Sequence, residues 1–311
     1  MERISLENKE GAVGMDWLER MNRAVGYIEE NLDNEIDYGE LGRIALCSAV
    51  QFQKIFSLMC GVPLSEYIRS RRLSMAVADL RADAKVLDVA LKYGYDSPTA
   101  FNRAFRKLHG IAPSEARDVG AVLKFCPPLS FQISIKGAVA MDYTMREQKS
   151  FRVVGVKIRT SVVDGRNLRE ITDFWGQTFR DGTFGRLLAL CCDDNLKSDE
   201  RVSPGCIMGL CVMPEHRDSV EFDYYIATAT DAPTPEGMTE LTVPPSTYAV
   251  FEAAGPLPGS IQELTKRIYS EWLPKAGYEL GDAPDIEVYS EGDTQANDYR
   301  SQVWLPIKET K

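Results

Sequence analysis

Tyr93-Gly94-Tyr95-Asp96-Ser97-Pro98-Thr99-Ala100-Phe101-Asn102-Arg103-Ala104-Phe105-Arg106-Lys107-Leu108-His109-Gly110 decides the fold of the first third of this 311-residue chain, because its pattern occurs twice. Ser97, Phe101, Phe105, Gly110, Ser114 and Glu115 each have a counterpart 49 residues upstream, in Ser48, Phe52, Phe56, Gly61, Ser65 and Glu66. Ahead of the serines, Leu41, Gly42 and Ala45 answer to Val89, Ala90 and Gly94. Two anchor sets at one fixed offset predict two helix-turn-helix units on one chain.

Local chemistry supports each unit. Small residues on a short first helix let a second helix cross closely, and a tight turn follows. Ser48 and Ser97 suit the N-cap, and Pro98 suits the first helical position, where a missing N–H costs nothing. Beyond the caps, Phe52, Ile55, Phe56 and Met59 recur at helical spacing, as do Phe101, Ala104, Phe105 and Leu108, and these should face a core. That leaves Gln51, Gln53, Lys54 and Ser57 on one polar face and Thr99, Asn102, Arg103, Arg106 and Lys107 on the other. Gln, Asn and Arg read base edges bidentately in the major groove, and Lys and Arg near a helix end suit phosphates. A polar face on an isolated amphipathic helix is usually only solvated. The duplication and its matching turns shift the balance to DNA.

The segment 41–117 resembles the DNA-binding domain of the AraC/XylS transcription regulators. The resemblance rests on Tyr93-Gly94-Tyr95-Asp96-Ser97 followed by Phe101, Phe105, Gly110 and Pro113, and on the run Tyr67-Ile68-Arg69-Ser70-Arg71-Arg72-Leu73, which in that family opens the helix joining the two units. It implies base reading by Gln51, Gln53 and Lys54 in the first unit and by Thr99, Asn102 and Arg103 in the second. Phosphate contacts would fall on Arg69, Arg72, Arg106 and Lys107. Gly42 departs from the family, which usually has alanine there.

The chain carries a net charge of −10, which argues against a protein that coats DNA nonspecifically. Partitioning removes the apparent conflict with a DNA reader. Residues 48–117 hold 11 Lys/Arg against 6 Asp/Glu, a net of +5, whereas residues 151–311 hold 16 against 26, a net of −10. The reading half is therefore locally basic, as counterion release from DNA requires. The polar start, without a signal-peptide core, and the lack of a long apolar run predict a cytoplasmic protein with no membrane partner. Seven cysteines without a Cys-x-x-Cys pair predict free thiols, with the adjacent Cys191-Cys192 as the alternative, a soft-metal or redox pair. With His109 and His216 the only histidines, a zinc site is not expected, and no cofactor is implied.

The remaining chain predicts a multi-domain protein: an all-α double helix-turn-helix domain over 1–118, a linker over 119–139 and an α+β domain over 140–311. An N-terminal helix from Asp16 to Leu32, with Asp16 as N-cap, should pack under the first unit. Leu129 to Ile135 alternates as an edge strand would. Strands are expected over 143–147, 151–159, 206–213, 221–228, 240–243, 247–253, 285–289 and 299–307. Helical stretches are expected over 168–190, broken near Asp181 to Gly185, and after Ser260 as a cap. Helix followed by several strands, twice, gives an antiparallel sheet with helices on one face.

This half resembles the GyrI-like effector-binding domains of multidrug-sensing regulators. Phe174-Trp175, Phe222-Asp223-Tyr224, Val243-Pro244 and Tyr248-Ala249-Val250-Phe251 carry the match, with Gly255-Pro256, Ile268-Tyr269-Ser270-Glu271-Trp272-Leu273-Pro274, Gly277-Tyr278-Glu279 and Pro284-Asp285-Ile286-Glu287-Val288-Tyr289 its most specific part. The family binds lipophilic, often cationic compounds between aromatic side chains beside a buried glutamate. The implied ligand set here is Trp175, Tyr225, Phe251, Tyr269, Trp272, Tyr289, Gln302 and Trp304. Gln302 stands where the family has its acid, so either the ligand is neutral or another carboxylate, Glu287 or Glu252, serves. The combined reading is a sequence-specific transcription regulator whose partners are double-stranded DNA, a small lipophilic effector and RNA polymerase. A constitutive DNA binder whose C-terminal half senses nothing, and a GyrI-like hydrolase fused to a DNA reader, are the alternatives.

Overall fold

The two duplicated segments fold as the same unit, and their caps explain why. In the computed structural model, which describes residues 10–132, 140–191 and 207–309, helices α2 (Tyr38–Ala45) and α3 (Ala49–Cys60) form the first unit, and α5 (Val86–Lys92) and α6 (Pro98–His109) the second. Ser48 caps α3 in a full capping box: its hydroxyl accepts from Gln51 N–H, and the Gln51 side-chain carbonyl accepts from Ser48 N–H at 2.9 Å. Ser97 caps α6 at Ala100 N–H, with Pro98 at the first position. Both reading helices end on a left-handed glycine, Gly61 (φ 72°) and Gly110 (φ 82°). The helix α4 (Leu64–Arg81) joins the units.

Phe101 and Phe105 close the second unit's own core with Leu73, Leu80, Val89 and Tyr93. Phe52 and Phe56 instead join a larger core built with α1 (Glu10–Glu30) and part of the C-terminal half. Trp17, Met21, Val25 and Ile28 of α1 line that core, as their spacing predicts. The helix starts six residues before Asp16, however, so Asp16 lies inside it and is no cap. Residues 120–132 run without regular structure, Phe131 packing edge-on against Phe56 at 6.1 Å. The expected strand from Leu129 is therefore not formed up to residue 132, and 133–135 lie outside the described residues.

The C-terminal half is one antiparallel sheet. Its strands are β1 (Tyr143–Gln148), β2 (Phe151–Ser161), β3 (Ile207–Val212), β4 (Glu221–Ala229), β5 (Thr239–Val243), β6 (Ser246–Ala254), β7 (Tyr278–Leu280), β8 (Asp285–Tyr289) and β9 (Arg300–Glu309). They lie in the order β1-β6-β9-β8-β3-β4-β2-β5, with β7 paired to β9. Helices α7 (Arg166–Arg180) and α8 (Thr183–Cys191) cover β2, β3 and β4, and α9 (Gly259–Arg267) covers β6 and β9. All three lie on one face. Ser260 is not the α9 cap; its hydroxyl donates to the Gly255 carbonyl, and Pro258 occupies the cap position. β7, too short to show an alternation, had no sequence signal.

Because side chains alternate across a strand, register sorts the sheet. Phe251, Val303, Glu287, Gly209 and Ile226 form one continuous row on the helix-covered face. Glu252, Gln302 and Val288 form a row on the opposite face, beside Val250, Trp304, Ile286, Leu210 and Tyr225. The latter row belongs to a separate apolar cluster with Tyr248 and Met208.

Candidate effector site and DNA-reading helices

Strand β8 reads acid, apolar, acid, apolar, aromatic, so Asp285, Glu287 and Tyr289 share the helix-covered face. The Tyr289 hydroxyl donates to Glu287 Oε2 at 2.6 Å. Trp175 of α7 stands over this pair, edge-on to Tyr289 with ring centroids 5.2 Å apart, and donates from Nε1 to the Tyr224 hydroxyl at 3.0 Å. Gly209, opposite Glu287 in register, leaves the space that this tyrosine and carboxylate occupy: a Cβ there would overlap the Tyr224 hydroxyl and lie 3.4 Å from Glu287 Oε2. The result is a carboxylate walled by three aromatic rings, the arrangement that attracts an organic cation.

Burial pushes the Glu287 carboxyl above the usual glutamate range, and the Tyr289 hydrogen bond and the Lys54 charge pull it only part of the way back. Burial likewise holds the Tyr224, Tyr269 and Tyr289 hydroxyls well above ordinary tyrosine. The Cys211 thiol, beside them, is pushed up to about 11.

Of the sequence-derived ligand set, Trp175, Phe251, Tyr269, Trp272 and Tyr289 lie on the helix-covered side. Phe251 and Trp272 form a neighbouring cluster with Tyr143, edge-on at 4.9 Å, rather than touching Trp175. Tyr225, Gln302 and Trp304 lie on the opposite face, where Trp304 Nε1 donates to Gln302 Oε1 at 2.9 Å and the Arg146 guanidinium stacks 4.7 Å from the Trp304 ring centroid. Glu252, one of two replacements considered for the missing acid, is on that face too, paired with Arg300 at 2.6 Å. Glu287, the other, is at the aromatic site. Tyr224, Phe222 and Asp285 complete the site without having been singled out as ligand residues, although the β8 alternation already places both carboxylates on one face.

The two reading helices differ sharply in exposure. On α6, Thr99, Arg103, Arg106 and Lys107 are exposed and Asn102 is half-buried, forming one accessible face. On α3 no residue is exposed. Gln51 is used in its own capping box and also donates to the Gly281 carbonyl at 3.4 Å. Gln53, 1% exposed, turns back on the Ala49 carbonyl. Lys54 pairs with Asp285 at 2.9 Å and lies 5.9 Å from the centre of the Phe222 ring. Of the expected phosphate ligands in α4, Arg69 pairs with Asp164 and Arg72 donates to the Leu32 and Asn34 carbonyls, at 2.8 and 2.6 Å. Arg72 is thereby committed to the fold, because its planar guanidinium is already shared between two carbonyls.

Cys47, Cys60, Cys126 and Cys211 are free thiols, and Cys191 Sγ lies 2.9 Å from the Thr228 hydroxyl; Cys192 and Cys206 lie outside the described residues. Among the described residues no group of three acidic, cysteine or histidine side chains could hold a metal, and no helix is long and apolar enough to cross a membrane.

The fold thus defines a transcription regulator in which a helix-turn-helix DNA-binding domain of AraC type is joined to an effector-binding-type α+β domain. Residues 144–307, more than half of the chain, match the integron-associated effector binding proteins, and the chain belongs to that family. Residues 41–118 match a helix-turn-helix domain model. Over 92 residues the chain is 38% identical to the transposon Tn10 TetD protein of Escherichia coli, covering 29% of this chain and 67% of TetD. It is 33% identical over 110 residues to the probable transcription factor PqrA of Proteus vulgaris, covering 35% of this chain and 83% of PqrA. The right origin-binding protein of Escherichia coli is 35% identical over 89 residues, 28% of this chain and 31% of that protein. Among solved structures, SAV2435 bound to tetraphenylphosphonium aligns with a TM-score of 0.46 at 24% identity, covering 54% of this chain and 94% of that one.

Proposed function

We propose that this protein is a ligand-responsive transcription regulator whose C-terminal half binds a lipophilic organic cation at Glu287, between Trp175, Tyr224 and Tyr289. The observation that carries this reading is the Glu287 carboxylate itself, hydrogen-bonded by Tyr289 beside the Trp175 and Tyr224 side chains on the helix-covered side of the sheet. It supplies the counter-charge that Gln302 cannot, so the ligand need not be neutral. A second carboxylate two residues away, Asp285, is held by the Lys54 ammonium through Oδ2 at 2.9 Å, while its Oδ1 is buried without a hydrogen-bond partner. In a site of low local dielectric, the Glu287 carboxylate, with Lys54 placed on Asp285, is the group whose charge a bound cation would balance.

On the DNA side, Thr99, Asn102, Arg103, Arg106 and Lys107 of α6 form the accessible reading face, with Asn102 and Arg103 suited to base edges and Arg106 and Lys107 to phosphates. Double-stranded DNA is therefore the first partner and the cation the second. RNA polymerase is the expected downstream partner of a regulator bound at a promoter. We retain 1–118, 119–139 and 140–311 as the proposed domain limits.

The test is calorimetric titration of the full chain with tetraphenylphosphonium, wild type against Glu287→Gln. A loss of at least about tenfold in affinity, equivalent to about 1.4 kcal/mol, supports the reading. Equal affinity for both proteins removes Glu287 from the site. If neither this cation nor a panel of neutral lipophilic compounds raises Tm, the C-terminal half does not sense, and the constitutive regulator is the better reading.

A further inference from the structure

The reading helix α3 is not free: it is docked, N-terminus first, into the C-terminal half. Ala49 N–H donates to the Arg217 carbonyl at 2.9 Å, the Ser48 hydroxyl lies 3.7 Å from Met213 Sδ, and the Gln51 amide donates to the Gly281 carbonyl. Val50, fully buried, belongs to the apolar cluster of Phe174, Phe222, Tyr224 and Ile207, with Trp175 packed against it. Four residues on, and so on the same helix face, Lys54 places its ammonium on Asp285 and against Phe222, with Cys211, Tyr269 and Glu287 as its other electrostatic neighbours. Further latches hold the halves together: Ser65 and Arg69 on Asp164, at 2.7 and 2.9 Å, and Arg20 opposite Glu279 at 3.8 Å.

A recognition helix presents its N-terminal residues to base edges. That end of α3 is the part enclosed by the loops around Arg217 and Gly281, so α3 cannot enter a major groove while it is docked. At the same time the docked Lys54 is itself a cation at the edge of the effector site, paired with Asp285, 5.9 Å from the Phe222 ring centre and acting electrostatically on Glu287.

Resting on the effector reading above, we infer that Lys54 is a built-in occupant of the cation seat: an organic cation competes with it, expels α3 and frees the first helix-turn-helix unit for DNA. The closed form reads DNA through α6 alone. The open form presents two reading helices, and ligand affinity and bipartite DNA affinity rise together.

The experiment measures tetraphenylphosphonium affinity and backbone amide exchange over residues 49–60 in the full chain, for wild type and Lys54→Met. Asp164→Ala, an exposed change that removes the Ser65 and Arg69 latch without touching the cation seat, provides a second variant should Lys54→Met fold poorly. The expected result is faster α3 exchange on adding the cation, with affinity about tenfold tighter in Lys54→Met and severalfold tighter in Asp164→Ala. A cation that binds every variant equally and leaves α3 exchange unchanged overturns the competition and leaves the effector reading standing. No binding by wild type or by either variant, with α3 exchange already raised in the variants, overturns the effector reading and the competition with it.

Discussion

A methyl group at position 42 would sit 2.7 Å from the Cys47 carbonyl oxygen and 3.0 Å from the Ala49 nitrogen, closer than the turn can accept. The glycine that departs from the AraC-type pattern thus permits a tighter crossing of α2 against the start of α3. Gly42→Ala should destabilise by about 1–3 kcal/mol, read as a lower denaturant midpoint at unchanged slope. At the site, the raised Glu287 carboxyl gives a pH signature. Cation binding needs the ionised form, so affinity should fall as pH is lowered through a range above 4.5, and protons should be released on binding there. The groups facing it are Lys54, Asp285, Cys211, Tyr224 and Tyr289. The Cys211 thiol and the two tyrosines, all shifted upward, keep their protons throughout that range. Calorimetry from about pH 7.5 to 5 should therefore show a slope that Glu287→Gln flattens. Gln302→Glu, across the sheet and tied to Trp304, should leave cation affinity unchanged within about twofold; a large gain would place the site on the wrong face.

Two helices with the same anchors and caps have opposite fates. Helix α6 keeps its polar face in solvent, and Arg103→Ala should cost about 1–3 kcal/mol on a selected duplex while random DNA is bound as before. Arg106→Ala should weaken both equally and reduce the salt slope by about one, the mark of a phosphate contact. Helix α3 covers its polar face as well as its apolar one, with Gln51 and Gln53 buried and Lys54 half-buried. Its fate was not legible in the sequence, because Gln51, Gln53 and Lys54 are equally compatible with water, DNA or a protein surface, and the choice belongs to residues more than 150 positions away. Every strand of five residues or more was legible in the sequence, but alternation alone was not enough: the alternating run from Leu129 forms no strand up to residue 132. The caps at Ser48 and Ser97 were legible because a cap satisfies its own neighbours, and Pro98 because the first helical position needs no N–H. Asp16 failed as a cap because the helix already runs from Glu10, and Ser260 because its hydroxyl bonds the Gly255 carbonyl while Pro258 takes the cap position.

For the molecule as a whole, basic and acidic halves are more than a division of labour: Lys54, Arg69 and Arg20 of the first half meet Asp285, Asp164 and Glu279 of the second. Linkage then requires reciprocity. A duplex carrying two half-sites about 34 Å apart should tighten tetraphenylphosphonium binding by the same factor by which the cation tightens that duplex, whereas a single half-site should show no such coupling. Sequence by itself determined the duplicated helix-turn-helix units, the antiparallel sheet with helices on one face and the segregation of charge, since periodicity, caps and composition act over a few residues. Tertiary structure alone decided which carboxylate meets the aromatic rings and what covers them. Which strands become neighbours, and so which alternating side chains share a face, is set by pairing between distant segments, and a polar helix face acquires its partner only when the chain has folded around it.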